Sequence, residues 1–166
     1  MEIAWGKGSV TLRDDIARKL TIIAPCNECV KKINLSEHVE IIRQNLGHKI
    51  SLTNIRQAAI ITEDKTRENP EYPLLLNAIV DVLEFHSVKK IFLIPAYGTH
   101  SVHTPLDHKK LYGEELLNRV TLVEHDCRDA ANLSPAGSLL SGQLLRINSA
   151  VANADFTIAL GSVAPH

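Results

Sequence analysis

Aromatic residues make up only 4% of this 166-residue chain. A core built from it must therefore be aliphatic, drawn from a hydrophobic fraction of 45%. An excess of charge of either sign is also missing: eighteen lysines and arginines stand against nineteen acids, a formal net charge of -1. Without a concentrated basic face, nucleic acid is excluded as the main partner. No apolar run reaches roughly 18 residues, so no membrane span is expected. Glu2 opens an N-terminus with no apolar signal core, and no secretory signal is read there. Three cysteines, an odd count, suit a reducing cytoplasm better than a disulfide framework. The length fits one domain over residues 1–166, alone or cut from a larger protein.

What is present is a succession of short apolar runs and amphipathic stretches. MEIAWGKGSVTLRDD reads as a hairpin or edge strand with a turn at Gly6 and Gly8. KLTIIAPC, residues 19–26, reads as a strand. LSEHVEIIRQNL, residues 35–46, has helical spacing, with Ser36 as N-cap and Gly47 as stop. QAAIITED, 57–64, is a strand that turns polar at its end. A helix follows over 70–88, with Pro70 or Pro73 in its first turn. KKIFLIPAY, 89–97, is apolar on both faces, as a central parallel strand should be. Then come a helix over 105–112 opening at Thr104-Pro105, a strand over 120–126 and a surface loop over 127–142. A strand running into a short helix (144–155) and a last strand (156–163) complete the pattern. Strands alternating with helices predict an α/β domain: a mostly parallel sheet flanked by helices, Rossmann-like and three-layered.

In such sheets ligands bind beyond the carboxyl ends of the strands. The first strong strand delivers Glu63, Asp64, Thr66 and Arg67 there; the second delivers Gly98, Thr99 and His100. Later strands deliver His125 and Asp126, then Gly161 and His166. Arginine can clamp a planar carboxylate through two parallel hydrogen bonds. A histidine near its ordinary pKa both takes and gives a proton at neutral pH. Each signal also has a plainer reading. Asp64 and Arg67 could form only a local turn pair, and His125-Asp126 only an Asx turn. His103 and His108 flank a helix start and read as solvated; His38, His48 and His86 read as surface residues. Cys26 and Cys29 form a Cys-x-x-Cys pair, but only Cys127 remains as a further thiol, which is short of a four-thiol zinc site. A strand-to-loop segment is the plainer reading, with a metal or redox module as the alternative.

Several stretches together carry a resemblance. EDKTRENP (63–70) resembles the Asp-x-Thr-Arg-Pro-x-Pro stretch of the nickel-dependent lactate racemase family. AYGTHSVHTPLDHKKLYG (96–113) resembles its Gly-Thr-His segment. VEHD (123–126), INSAVANADFTIALGSVAPH (147–166) and AWGKG (4–8) fall in the family's order. The resemblance covers essentially the whole chain, as the family's N-terminal domain. It implies a two-domain enzyme with its site in the cleft between domains, and a nickel-pincer nucleotide as cofactor. The implied reaction inverts a 2-hydroxy acid: hydride moves from the substrate carbon to the cofactor and returns on the other face, with two histidines exchanging the hydroxyl proton. His100 and His166 match those histidines. Arg67 matches the substrate anchor, with Asp64 and Thr66 beside it, and Gly98 and Thr99 fall at the cofactor. Departures occur at Ser101, Val102 and Glu68, where the family has arginine, proline and proline. The family's cofactor-bearing lysine and nickel-binding histidine lie beyond the position of His166, so the partners expected are a small 2-hydroxy acid and a missing C-terminal domain. The alternative function is a small-carboxylate-binding or inactive paralogue domain.

Overall fold

The computed structural model describes residues 2–5, 7–11, 34–49, 52–67 and 69–162. The chain divides into two compact units, Met1–Lys32 and Ile33–His166. In the first, β1 (Glu2–Trp5) and β2 (Gly8–Thr11) pair antiparallel with Trp5 opposite Gly8. This is the hairpin expected from the sequence. The strand expected over 19–26 lies outside the described residues.

The strands described in the second unit are β3 (Gln57–Glu63), β4 (Lys90–Ala96), β5 (Thr121–Leu122), β6 (Leu133–Ser138), β7 (Leu144–Asn148) and β8 (Phe156–Leu160). Four form one parallel sheet in the order β5-β4-β3-β8, while β6 and β7 pair antiparallel by themselves. The helices are α1 (Leu35–Gln44), α2 (Tyr72–Phe85), α3 (Pro105–Tyr112), α4 (Glu114–Arg119) and α5 (Ser149–Ala152).

The two central strands are in register along their whole length, Gln57 beside Lys90 through Glu63 beside Ala96. Their sequences are apolar on both faces because both faces are covered. Ala58, Ile60, Ile91 and Leu93 face a core completed by Leu76, Ile79, Leu83, Leu111, Tyr112 and Leu116 from α2, α3 and α4. Leu76, Val80 and Leu83 are completely buried, at the four- and three-residue spacing of one helical face. Each such side chain contributes about 1.5–3 kcal/mol through removal from water. On the other face, Ile61, Ile94 and Ala96 meet Ile147, Asn148 and Val151 around a small recess. Pro73 lies in the first turn of α2, where its missing N–H breaks no helical bond. Among the described residues, no helix is long and apolar enough to cross a membrane.

Several local expectations are corrected. Asn34, not Ser36, caps α1, through a reciprocal pair of bonds with Glu37. Gly47 does not stop the helix, which widens into a π turn over Asn45–Lys49. The strand expected over 120–126 pairs only at Thr121–Leu122, after which the Val123 N–H reaches Leu93 O at 2.9 Å and the ladder ends. The surface loop expected over 127–142 contains a 3-10 turn and β6. Pro135 and Gly137 mark a register shift in the β6–β7 pair, with Gly137 at φ 126°. α4 had no counterpart in the sequence reading; its single apolar pair, Leu116 and Leu117, is too short to show a helical period.

Candidate active site

The carboxyl ends of β3, β4 and β8 open into a cleft of about 530 Å³. Two short turns supply its chemistry. The first follows β3, where the apolar strand gives way to Glu63-Asp64-Lys65-Thr66-Arg67 and the backbone folds into a 3-10 turn over Lys65–Arg67. Asp64 closes that turn. Its Oδ1 accepts the Thr66 N–H at 3.0 Å and the Thr66 hydroxyl at 2.5 Å, while its carbonyl accepts the Arg67 N–H at 3.1 Å. The second turn follows β4. The His100 N–H donates to Tyr97 O at 2.9 Å, closing a turn in which Gly98 takes a positive φ of 60°. No atom lies within 4 Å of where a Gly98 Cβ would stand, so backbone conformation, not crowding, is what asks for glycine.

The two turns meet at Asp64 and His100, where Asp64 Oδ2 is hydrogen-bonded to His100 Nδ1. Asp64 is 7% exposed and His100 58%. Burial pushes the Asp64 carboxyl up, but the hydrogen bonds from Thr66 and His100 outweigh it and hold the group below its ordinary value of 3.8. An ionised Asp64 only accepts, so Nδ1 carries the proton and Nε2 carries the lone pair; the network assigns this tautomer. Nε2 makes no hydrogen bond among the described residues. An exposed imidazole with its basic nitrogen free and its other nitrogen on a carboxylate is built to take a proton.

Glu63 forms the opposite wall. It accepts the Tyr72 hydroxyl at 2.5 Å and the Ser162 hydroxyl at 2.9 and 3.0 Å, with the Arg67 guanidinium at 3.7 Å. Burial raises its pKa, but the bonds from Tyr72 and Ser162, with Arg67 beyond them, hold it below the usual 4.5. Burial and the adjacent Glu63 together push the Tyr72 phenol up. Arg67 is half-exposed, and among the described residues its one ion pair is at the long end of the range, leaving most of its donors available to a ligand there.

Asp64, Thr66, Arg67, Gly98, Thr99 and His100 thus line one cleft. His166, Cys26, Cys29 and the side chain of His48 lie outside the described residues. The plainer alternative of an ion pair between the Asp64 and Arg67 side chains is not what forms: Asp64 goes to His100 and Arg67 to Glu63. His125-Asp126 takes the plainer reading in part, since Asp126 Oδ1 accepts the Arg128 N–H at 2.8 Å in an Asx turn. His125 itself borders the small recess beside His100.

His103 and His108, read as solvated, are buried at 5% and 4% exposure. Thr104 caps α3 through a capping box with Asp107, which places His103 at N′ and His108 at N4. Those are the two positions whose side chains pack together at a helix start. The ring centroids lie 5.3 Å apart, with His103 against Tyr97 and His108 against Tyr112. His108 Nε2 bonds Glu124 at 2.7 Å, and Glu124 also accepts the Tyr97 hydroxyl. The signal was in the sequence, in the spacing of His103 and His108 about the Thr104-Pro105 start.

Comparison with known proteins gives the family of the chain. The sequence pattern of the "Lactate racemase N-terminal domain" matches residues 6–166. The lactate racemase of Thermoanaerobacterium thermosaccharolyticum is 33% identical over 145 residues, 81% of this chain and 33% of that protein. The lactate racemase of Lactiplantibacillus plantarum is 30% identical over 144 residues, 80% of this chain and 32% of that protein. The solved structure of the Thermoanaerobacterium thermosaccharolyticum lactate racemase apoprotein superposes with a TM-score of 0.62 at 26% identity, covering 95% of this chain and 37% of that one. A Thermotoga maritima protein shares the fold at a TM-score of 0.63 and 15% identity, over 76% of this chain and 33% of that one. The chain spans about a third of the length of the curated relatives it matches. Matched along nearly all of its residues, the chain belongs to the lactate racemase N-terminal domain family.

Proposed function

We propose that this chain is the N-terminal part of a 2-hydroxy-acid racemase, lactate being the substrate suggested by its relatives. The observation that carries the reading is the Asp64–His100 pair, set beside Arg67 at the carboxyl edge of a parallel sheet. Arg67 anchors the substrate carboxylate through two of its free N–H groups. The 2-hydroxyl then lies toward Nε2 of His100, which accepts its proton. The imidazolium that forms is stabilised by the ionised Asp64, which already holds Nδ1–H. Loss of the hydroxyl proton drives the C–O bond toward a carbonyl as the α-hydrogen leaves as hydride. Inversion requires that hydride to return on the opposite face, and His166 is proposed as the acid/base there, on the resemblance alone.

The cofactor implied by the resemblance is a nickel-pincer nucleotide, which would supply the hydride acceptor. The cleft suits its organic part. Its volume of about 530 Å³ exceeds the needs of a three-carbon acid, and the wall at Gly98 carries no side chain and meets no atom. Gly98 and Thr99 would line that ring. Among the described residues, no group of three or more His, Cys, Asp or Glu could hold a metal ion. The lysine and histidine that the resemblance requires have no assigned counterparts in this chain.

The test is lactate racemisation by the full-length, nickel-loaded protein. His100→Ala should lower kcat by about 10²–10⁴-fold, the usual contribution of a positioned acid/base. Undiminished turnover in that variant would remove His100 from the mechanism.

A further inference from the structure

The substrate anchor of this reading, Arg67, sits on a one-turn segment too short to hold itself. The 3-10 turn over Lys65–Arg67 has three residues, all exposed, and no side chain of it enters the core. Something outside the turn must fix it. The Lys65 N–H donates to His103 Nε2 at 2.9 Å, across 38 positions of sequence. Lys65 Nζ meets Asp107 Oδ2 at 2.8 Å, a second link to the same helix start. The two links differ in quality. The Lys65–Asp107 pair is solvent-exposed, and such pairs contribute little. The His103 bond is made by a buried imidazole that stands edge-on to the Tyr97 ring at 4.6 Å. Tyr97 is in turn tied to Glu124, which also holds His108.

We infer that His103 is a positioning residue: it clamps the Asp64–Arg67 turn to the loop that carries His100, and so sets where the carboxylate anchor stands relative to the base. This rests on the reading of Arg67 as that anchor. The clamp works only with neutral His103. To accept from Lys65 N–H, Nε2 must be the unprotonated nitrogen, which puts the proton on Nδ1. The groups facing the ring are His108 and Asp107 from α3, Lys65 and Asp64 from the turn after β3, and Tyr97 after β4, with Glu124 reached through Tyr97 and His108. Burial and the proximity of His108 hold the His103 pKa below its ordinary 6.5, against the opposing pull of Asp107. Above pH 6.5 the clamp is fully present. As pH falls through the lowered folded pKa, Nε2 gains a proton, becomes a donor facing a donor, and the link is lost.

The experiment follows amide exchange at Lys65 and isothermal titration with L-lactate, in the wild type, His103→Gln, His103→Leu and Arg67→Ala. Glutamine keeps an acceptor oxygen that does not titrate, and leucine removes the acceptor. The expected result has three parts. The Lys65 amide is protected in the wild type and in His103→Gln and unprotected in His103→Leu. Wild-type protection falls as pH drops below 6.5 and through the lowered folded pKa of His103, whereas that of His103→Gln does not. Lactate affinity falls about tenfold in His103→Leu, the worth of one lost hydrogen bond to a buried group, and recovers in His103→Gln. A Lys65 amide equally protected in His103→Leu overturns the clamp. Should His103→Leu fail to fold, a wild-type pH step that persists in His103→Gln overturns it as well. Protection that depends on His103, with lactate affinity lost in Arg67→Ala but unchanged in His103→Leu, overturns the positioning role. Lactate affinity indifferent to Arg67→Ala instead refutes the anchor reading, while the exchange data still decide the clamp.

Discussion

Asp64, the first residue past β3, holds Nδ1 of His100, which lies four residues past β4 and 36 positions later in sequence. The parallel register of β3 and β4 brings the two strand ends level, Glu63 beside Ala96, and the pair can form only because of that. Asp64 is nearly buried and its other oxygen is filled by Thr66, so it cannot swing away from the imidazole.

Asp64→Asn therefore tests orientation separately from binding. An asparagine can offer an N–H to Nδ1, which selects the wrong tautomer and leaves Nε2 protonated. On the proposed racemase reading, kcat of the full-length, nickel-loaded protein should fall by about 10²–10⁴-fold, while KM changes by less than about threefold because the proposed anchor Arg67 is untouched. Steady-state kinetics on both lactate enantiomers separate the two parameters, and a rise in KM alone would show that Asp64 serves substrate binding.

The acid side of the stability curve has a fixed sign. Asp64 and Glu63 both have folded pKa values below their ordinary 3.8 and 4.5. The unfolded chain therefore binds protons more readily, and the stability these groups contribute is present above about pH 4.5 and lost as pH falls through the folded values. Thermal unfolding between pH 6 and pH 3 should show that loss. Glu63→Gln and Asp64→Asn should each flatten the curve in this window and leave its neutral arm with a lower but pH-independent Tm. An unchanged slope in both variants would assign the acid sensitivity to other carboxylates.

Gly98→Ala should be tolerated by packing and resisted by the backbone. The space for a methyl is open, but φ is 60°. The expected cost is about 1–2 kcal/mol, the ordinary penalty of a left-handed L-residue. Urea unfolding measures it. The Tyr97–His100 turn would relax to avoid the strain, so activity should fall more than stability does.

Arg119 joins α4 to α2 through three side chains: Asn77 at 2.9 Å, Asp81 at 2.7 Å and Glu84 at 2.7 Å. Its side chain is about three-quarters buried, while the acids it meets are nearly half-exposed. Arg119→Ala should cost about 1–2 kcal/mol, a value between a surface pair and a buried one. Arg119→Lys should recover less than half, because an ammonium cannot reach three acceptors in one plane. Denaturant midpoints at low and high salt read both effects.

The alternation of apolar strands with helices, the polar ends of 57–64 and 89–100, and the Thr104-Pro105 helix start were legible because each depends on residues within a few positions. So were the cleft residues Asp64, Thr66, Arg67, Gly98, Thr99 and His100, since the residues that follow an apolar strand mark its carboxyl end. Pairings were not legible. Whether Arg67 meets Asp64 or Glu63 depends on the 3-10 turn. The β6–β7 pair was hidden by Pro135 and Gly137, whose local preference for loops is overridden by cross-strand bonds. His103 and His108 read as polar residues at a helix start, and only packing against Tyr97 and Tyr112 buries them.

The sequence by itself determined the aliphatic core, the α/β class and the set of chemical groups at the strand ends, because hydrophobic period and turn chemistry are local properties. Tertiary structure alone decided which groups became partners. Strand order and register placed Asp64 against His100, and a buried imidazole against the backbone of Lys65. Those contacts span 36 and 38 positions, and loop closure over such distances is stabilised only by the whole folded core, not by any property of the residues that touch.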